Sequence, residues 1–166
     1  MMTSPFTRRD LKTFIDTHHL GAVIIPMDVH TATVDEAAAA LGVDANLIIK
    51  SLVFMAGEEP ILVVSNGRGR VDRKKLAACL GMNRRGVKFA TARQALETTG
   101  YVVGSMPPFG HREPLRTVVD TATTEQHTLY GGGGGIDAMM RLSSSELLRV
   151  TRAEVADISK PNPHDG

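Results

Sequence analysis

"LIIKSLVFMAGEEPILVVSNG", residues 47–67, contains two apolar, β-branched runs separated by the turn-forming segment Gly-Glu-Glu-Pro. Two such runs joined by a short segment with Gly and Pro are typical of a β-hairpin. Helical patterns lie on both sides of this hairpin, and further β-type runs follow it. Strands that occur as adjacent pairs and also alternate with helices predict a mixed sheet in an α/β or α+β domain.

The other elements are predicted from periodicity and capping signals. Thr33 with Glu36, and Ser143 with Glu146, form the Ser/Thr-x-x-Glu pattern that opens a helix. The predicted helices are 11–20, 33–42, 71–81, 91–100 and 143–150. The further predicted strands are 22–25, 87–91, 101–104, 116–120, 127–131, 136–142 and 154–159.

Length and composition indicate one ordinary globular domain. The chain has 166 residues, of which 42% are hydrophobic and 22% charged. We expect a single domain over 1–166, with a core at about 10–158 and a polar tail at 159–166. No apolar run reaches the ~20 residues of a membrane span, and the first residues lack the apolar stretch of a secretory signal. We therefore expect a soluble, cytoplasmic protein that does not contact a membrane.

Positive charge is concentrated in one segment, although the net charge of the chain is only +1. Residues 68–88 contain eight Lys or Arg and a single acid, Asp72. Such a density favours a polyanionic partner, and Arg73, Lys74 and Lys75 are the candidate tRNA contacts. The alternative is a solvated helix face with basic flanks.

Neither a metal nor a cofactor is expected. One cysteine and six scattered histidines do not form a zinc-ligand pattern. Cys79 lies at helical core spacing with Leu76 and Leu80, and we expect it to be a packing residue. No phosphate-binding glycine loop and no nucleophile elbow occurs in the sequence.

Lys50 interrupts the first apolar run of the hairpin. A lysine in a strand with so many apolar residues is rarely left without a partner. It either protects a sheet edge from pairing or directs its ammonium group into a cleft, toward a phosphate or a carbonyl oxygen.

Two backbone features complete the candidate site. Gly104-Ser105-Met106-Pro107-Pro108 has an imposed backbone shape, because Pro fixes φ and Gly permits conformations closed to other residues. This segment either turns the chain or forms a wall against a ligand. The five glycines 131–135 are either a flexible hairpin loop or a backbone wall beside a ligand, with Asp137 at the exit.

These features occur in an order that resembles the YbaK family, the free-standing relatives of the editing domain of bacterial prolyl-tRNA synthetases. The resemblance covers about residues 10–158. It rests on VDEAAAALGV, IIKSLVF, VDRKKLAACLG, TGYVVGSMPPFG, RTVVD and the glycine-rich turn. It implies a strongly curved mixed sheet, nearly a barrel, flanked by helices.

The resemblance also implies an activity, namely hydrolysis of the ester bond of a mischarged aminoacyl-tRNA. The implied partners are the tRNA acceptor end and an aminoacyl-tRNA synthetase. Lys50 and Gly104 match the functional lysine and the G-x-x-x-P loop of the family and are the expected catalytic residues. The expected substrate-binding residues are Ser51, Ser105, Met106, Pro107, Pro108, Gly132, Gly134, Asp137 and His30.

The sequence departs from the family pattern at two places beside the expected amino-acid pocket. Tyr130 and an uninterrupted glycine run replace a small hydroxyl residue and basic residues, and SMPP replaces the commoner Gly-aliphatic-Ser-Pro. The resemblance therefore does not imply which amino acid is edited. Two alternatives to hydrolysis of an aminoacyl-tRNA also stay open. One is a tRNA- or synthetase-binding module without activity, and the other is a protein that binds or hydrolyses another small ester or a nucleotide.

Overall fold

The structure is a computed structural model that describes residues 4–28, 30–31 and 33–161. Six α-helices occur in these residues: α1 Arg8–Thr17, α2 Val34–Leu41, α3 Arg73–Cys79, α4 Ala92–Thr99, α5 Thr121–Thr124 and α6 Ser144–Thr151. The first five strands are β1 Val23–Pro26, β2 Ile49–Ala56, β3 Glu59–Asn66, β4 Gly69–Val71 and β5 Val87–Phe89. The remaining strands are β6 Arg116–Asp120, β7 Thr128–Gly132, β8 Ala138–Ser143, β9 Glu154–Ala156 and β10 Ser159–Pro161.

The predicted hairpin is confirmed. Strands β2 and β3 pair antiparallel along their whole length, with Lys50 opposite Ser65 and Ala56 opposite Glu59. The turn between them includes Gly57, whose φ of 64° lies in the left-handed region that favours glycine. Opposed residues of an antiparallel pair lie on the same face of the sheet, so Lys50 and Ser65 share one face.

The hairpin forms the centre of a five-stranded sheet with the order β5-β2-β3-β6-β9. Strand β5 pairs antiparallel with the second half of β2, whereas β3–β6 and β6–β9 are parallel pairs. A parallel pair requires a crossover, and the helices between β3 and β6 and between β6 and β9 provide it. The sheet is therefore mixed, as the alternation of paired strands and helices predicted.

The other strands form two smaller antiparallel sheets. One has the order β1-β8-β7, and the other consists of β4 and β10. A single parallel bridge between Ile48 and Tyr130 joins the three-stranded sheet to the start of β2. The mixed α/β fold is confirmed, but the described strands form these three sheets and no closed barrel, where one strongly curved sheet was expected.

Both faces of the five-stranded sheet are buried. One face packs against the three-stranded sheet and α1, with Val53, Leu62, Leu11 and Met140 in the same cluster. The opposite face packs against α3 through residues such as Phe54 and Leu76. Cys79 is half-buried against this second cluster, in agreement with a packing role.

The helix ends follow the capping signals. The Thr33 hydroxyl accepts a hydrogen bond from the backbone of Glu36 at 3.1 Å, and Gly42 ends α2 with φ of 69°. The Ser143 hydroxyl likewise accepts from the backbone of Glu146 at 3.1 Å. These hydrogen bonds satisfy backbone N–H groups that have no partner within the first helical turn.

Two predicted elements differ from the structure. Residues 101–104 are not a strand, because Ser105 donates its backbone N–H to the Val102 carbonyl at 3.1 Å and closes a turn. Tyr101 is fully buried, while Val102 and Val103 are exposed. In addition, Ser159–Pro161 of the predicted tail pair with β4, and residues 162–166 of that tail lie outside the described residues.

Candidate functional site

The first half of β2 has an open outer edge. Strand β5 pairs only with Phe54–Ala56, and the bridge to Tyr130 involves Ile48. Among the described residues, no backbone group on this outer side bonds to Lys50, Ser51 or Leu52. The outer backbone edge of this segment is therefore unpaired among the described residues, and its three side chains are half-buried.

A cleft of about 690 Å³ lies along this open edge. This volume is within the roughly 300–1,000 Å³ of small-molecule sites. The turn at Gly104 and residues of α2 and β7 complete the walls. Its main lining residues are Thr31, Thr33, Asp35, Lys50, Ser51, Arg68, Val103, Gly104, Met106, Gly132 and Met139.

Lys50 provides a cation at this cleft. The side chain is half-buried and makes no hydrogen bond or ion pair with the part of the chain that the structure describes. Arg68, the other basic lining residue, contacts Asp44 at 3.9 Å on the exposed surface. An exposed ion pair of this kind contributes little to stability. The Arg68 charge therefore remains accessible to an anion.

Ser51 contributes a hydroxyl group that has no protein partner. Its Oγ atom is buried and has no hydrogen bond to any described residue. A buried hydroxyl without a partner costs about 1–3 kcal/mol, which a ligand or a water in the cleft would offset. Ser51 therefore lines the cleft with a hydroxyl group that is free to bond to a ligand.

The loop from Gly104 to Pro108 presents its first residues to the cleft and buries the others. Gly104 and Met106 line the cleft, although Met106 is only 5% exposed, whereas Ser105, Pro107 and Pro108 are buried and do not line it. The Ser105 hydroxyl donates to the Val102 carbonyl at 2.8 Å and is not available to a ligand. The buried residues thus support the wall without forming its surface.

Gly104 has a backbone conformation that favours glycine, with φ of 96°. An added Cβ atom would meet nothing within 4 Å, so the space in front of this residue is open. Because this φ is positive, replacing Gly104 by alanine would strain the backbone even though the space is open.

The glycine run is packed against protein backbone and is not a free hairpin loop. A Cβ atom at Gly132 would overlap the Met106 carbonyl oxygen and lie 2.9 Å from that of Ser105. A Cβ atom at Gly133 would lie 2.7 Å from the carbonyl carbon of Ala138. Close approach of backbone therefore explains the glycines at 132–134, whereas a Cβ atom at Gly131 or Gly135 would meet side-chain atoms. Of the five glycines, Gly132 lines the cleft.

His111 supports the loop from behind. Its Nε2 atom lies 2.7 Å from the Pro107 carbonyl oxygen, an acceptor that requires the proton on Nε2. Burial lowers the pKa of His111 to about 4, although the bond to Pro107 acts in the opposite direction. The ring is therefore neutral at physiological pH.

Three further expected substrate-binding residues, in addition to Ser105, Pro107 and Pro108, do not line the cleft. The exposed Asp137 side chain lies 3.9 Å from Arg8, and the His30 ring contacts the Ile136 carbonyl at 3.1 Å. Gly134 donates its N–H to the Ser105 carbonyl and has φ of 89°. These residues position the turn after β7, and a direct role for them stays a prediction.

The three expected tRNA contacts lie on α3, outside the cleft lining. Arg73 donates from Nε to the Val87 carbonyl at 3.1 Å. The Lys75 ammonium group donates to the Asp157 carboxylate at 3.2 Å and to the Ser159 carbonyl at 2.9 Å. Lys74 is exposed and is the residue of the three whose charge is most accessible.

Several lining residues were not among the expected site residues. Arg68 belonged to the basic segment, so a signal existed, but nothing in the sequence separated it from the other seven cations. Thr33 and Asp35 were interpreted only as part of a helix start. Val103 was assigned to a strand that does not form.

The fold and the cleft define a class of compact mixed α/β domain with a lysine-bearing open sheet edge. The family model described as "Aminoacyl-tRNA editing domain" matches residues 28–150, and the chain belongs to this family. The resemblance to the YbaK family and to the prolyl-tRNA synthetase editing region is confirmed.

Relatives include a free-standing protein and inserted domains. The chain is 28% identical over 133 residues to the uncharacterized protein YwhH of Bacillus subtilis, covering 80% of this chain and 83% of YwhH. It is 37% identical over 93 residues to the proline–tRNA ligase of Limosilactobacillus fermentum. That match covers 53% of this chain but 16% of the ligase, so it concerns one region of a much longer enzyme.

Solved structures share the fold over nearly the full chain. A protein proposed to be a trans-editing enzyme for prolyl tRNA synthetase superimposes with a TM-score of 0.86 at 31% identity, covering 96% of this chain and 99% of that one. The hypothetical protein APE2540 gives a TM-score of 0.84 at 33% identity, covering 91% and 99%. Within the described residues, no helix has the length and apolar character needed to span a membrane.

Proposed function

We propose that this protein is a trans-editing hydrolase that cleaves the ester bond of a mischarged aminoacyl-tRNA. The observation that carries the proposal is the shared cleft of Lys50, Ser51, Gly104 and Gly132 in a member of the editing-domain family. The substrate would place its terminal ribose at the open edge of β2 and its amino acid against Met106 and Val103.

The chemistry of the substrate is consistent with the lining residues. An aminoacyl ester is already activated, so a site can act by positioning a water or the neighbouring ribose hydroxyl and by stabilising the oxyanion. Preorganised donors of this kind contribute about 10²–10³ in rate for each donor. Among the described residues, the lining contains neither His nor Cys, so the hydroxyl groups that line the cleft have no imidazole base beside them.

Lys50 is the proposed anchor. Its ammonium group would bind the terminal phosphate or the ester region, and Ser51 would bond to the same part of the substrate. Selectivity for the amino acid would come from the size of the cleft, and one methylene group then distinguishes substrates by only about 1–3 kcal/mol.

A deacylation assay with a panel of mischarged tRNAs tests the proposal. We expect hydrolysis of at least one aminoacyl-tRNA by the wild-type chain and a loss of about 10²-fold or more in kcat/KM for Lys50→Ala. Lys12→Ala is the matched control, because Lys12 is exposed, lies on α1 outside the cleft lining and forms a surface ion pair with Asp16.

Thermal unfolding of each variant checks that Lys50→Ala remains folded. A folded Lys50→Ala protein with wild-type turnover would contradict the role of Lys50. Tight binding of tRNA by the wild type without hydrolysis of any ester would instead identify a binding module.

A further inference from the structure

A second depression lies on the side of β2 that carries the Lys50 side chain. It has a volume of about 340 Å³ and is lined by Lys50, Leu52, Ser65, Gly69, Arg70, Val71, Phe89 and Lys160. We call it the β4 groove, because it is bounded by Gly69–Val71 and by Lys160 of the partner strand β10. Lys50 and Leu52 line both the cleft and the groove, so the two adjoin at this part of β2.

The β4 groove is positively charged. Lys50, Arg70 and Lys160 line it, and its lining contains no acidic residue among those that the structure describes. The Arg70 side chain is exposed and makes no hydrogen bond or ion pair with a described residue. Lys160 lies within electrostatic range of Asp72, the N-cap of α3. Three cations around one depression favour a phosphate group.

A buried hydroxyl group without a partner also belongs to the groove. Ser65 is 1% exposed, lies opposite Lys50 in the β2–β3 pair, and its Oγ atom has no hydrogen bond to any described residue. Burying such a group without a partner is unfavourable, and an anion bound by the three cations would supply an acceptor.

An aromatic ring is exposed at the same place. Phe89 is 58% exposed although it is large and apolar, and it lines the groove. Its ring lies against Phe54, with the ring centroids 4.2 Å apart, which leaves the ring fixed and partly open to solvent. An aromatic platform beside cations is the arrangement that binds single-stranded nucleic acid.

We propose that the β4 groove binds a nucleotide of the single-stranded RNA end, one that precedes the terminal nucleotide held in the cleft. Its base would stack on Phe89, and its phosphate would contact Arg70, Lys160 and the Ser65 hydroxyl. The inference rests on the proposed function, because it follows the path of the strand away from the reacting ester. It names Phe89, Arg70 and Lys160 as RNA-binding residues, which lie on β5, β4 and β10 and not on α3.

The test uses a fluorescent reporter at the platform. The chain has no tryptophan, so Phe89→Trp introduces a single one at an exposed position. The probe is an unacylated RNA tetranucleotide that ends in cytidine-cytidine-adenosine, titrated at low and high salt. We expect saturable quenching that is weakened at least threefold by Arg70→Ala or Lys160→Ala and reduced by salt.

A second measurement does not depend on the reporter. We expect Phe89→Ala in the otherwise unchanged chain to weaken binding of the labelled tetranucleotide by about 5- to 150-fold, the range expected for loss of one stacked base. Val155→Ala is the matched control, since Val155 is an exposed apolar residue on β9 at the opposite edge of the same sheet.

The outcomes separate this inference from the proposed function. One outcome is deacylation of a tRNA without quenching and with unchanged RNA binding by Phe89→Ala. This outcome would overturn the proposal that the β4 groove binds RNA and would leave the proposed hydrolase activity intact. Quenching with no deacylation would support the groove and contradict the hydrolase. Equal quenching by cytidine monophosphate would show a site for free nucleotides and overturn the assignment to an RNA end.

Discussion

The backbone N–H of Gly134 donates to the carbonyl oxygen of Ser105 at 2.9 Å, which ties the turn after β7 to the loop that carries Gly104. The neighbouring Gly132 lies so close to the same loop that a side chain would overlap the Met106 carbonyl. The two glycine-containing segments that the sequence presented separately are thus one packed unit beside the cleft.

The first prediction concerns this contact. We expect Gly132→Ala to lower the free energy of unfolding by about 1–3 kcal/mol, because its methyl group would overlap backbone that cannot rotate away. Gly135→Ala is the matched control, since its Cβ would meet only the exposed Asp137 carboxylate at 3.0 Å. Chemical denaturation of both variants measures the difference, and equal stabilities would refute the packed unit.

The second prediction concerns the wall at Val103. We expect Val103→Ala to change kcat/KM among mischarged tRNAs that differ in amino-acid size, with unfolding free energy within about 0.5 kcal/mol of wild type. Val103 lines the cleft and is 56% exposed, while its neighbour Val102 is 46% exposed and does not line it. Val102→Ala should therefore leave the selectivity unchanged, and a matching shift in both variants would argue against a contact from Val103.

The third prediction is that Gly104→Ala loses stability as well as turnover. A residue other than glycine at φ of 96° is strained by about 1–3 kcal/mol, although its Cβ atom would meet no neighbour. A lower unfolding midpoint is the expected result. An unchanged midpoint would mean that the loop adopts another conformation in the variant.

The fourth prediction concerns pH. Because the folded pKa of His111 is about 4 and the unfolded value about 6.5, the unfolded chain binds more protons between these values. The contribution of His111 to stability is complete above about pH 6.5 and is lost as pH falls to about 4, by roughly 3 kcal/mol at most.

Carboxylates titrate in the same range, so the measurement is the difference between wild type and His111→Gln. We expect the variant to be less stable at pH 7 and to have a shallower pH dependence between 4 and 6.5. Parallel stability curves for the two proteins would show that His111 is not buried in its neutral form.

The fifth prediction concerns the salt dependence of tRNA binding. Each phosphate contact contributes about 0.7–0.9 to the slope of log K against log salt. Since Lys75 and Arg73 are engaged in internal contacts, we expect Lys74→Ala to reduce the slope by about one contact and Lys75→Ala to affect stability more than the slope. Arg93→Ala, on α4 outside the basic segment, is the control. Unchanged slopes after neutral replacement of all three α3 cations would place the RNA path elsewhere.

The sequence predicted the fold well where local signals and burial agree. The β2–β3 hairpin combines β-branched residues with a glycine turn, and α2 and α6 begin at side-chain caps that the structure contains. The strand predicted at 101–104 was wrong, because two consecutive valines favour a strand locally. The turn that forms instead depends on the Ser105–Val102 hydrogen bond and on the left-handed conformation of Gly104. Strand β4 was not predicted, because three residues are too few to show an alternating pattern. Its pairing partner is the distant strand β10.

The candidate site was predictable only in part, for a physical reason. Lys50 was predictable because it is a charged residue within an otherwise apolar strand. Gly104 was predictable because two prolines, Pro107 and Pro108, follow it closely. Arg68, Thr33 and His111 become neighbours of the site through tertiary packing, and no local pattern expresses that. The close approach of Gly132 to Met106 is likewise a relation between two segments that lie 26 positions apart in the numbering.

The close contact between Gly132 and the backbone of residues 105–106, which forms the floor of the cleft, also limits how this cleft can change over evolution. A pocket lined by side chains can be narrowed or widened by one substitution at a time, but here any side chain at Gly132 would displace the 105–106 backbone. Single substitutions that adjust the preferred acyl group without moving main chain should therefore accumulate at positions such as Val103 and Met139, which already carry a side chain into the cleft. Natural variants of this domain with altered selectivity are expected to differ there while keeping glycine at the floor.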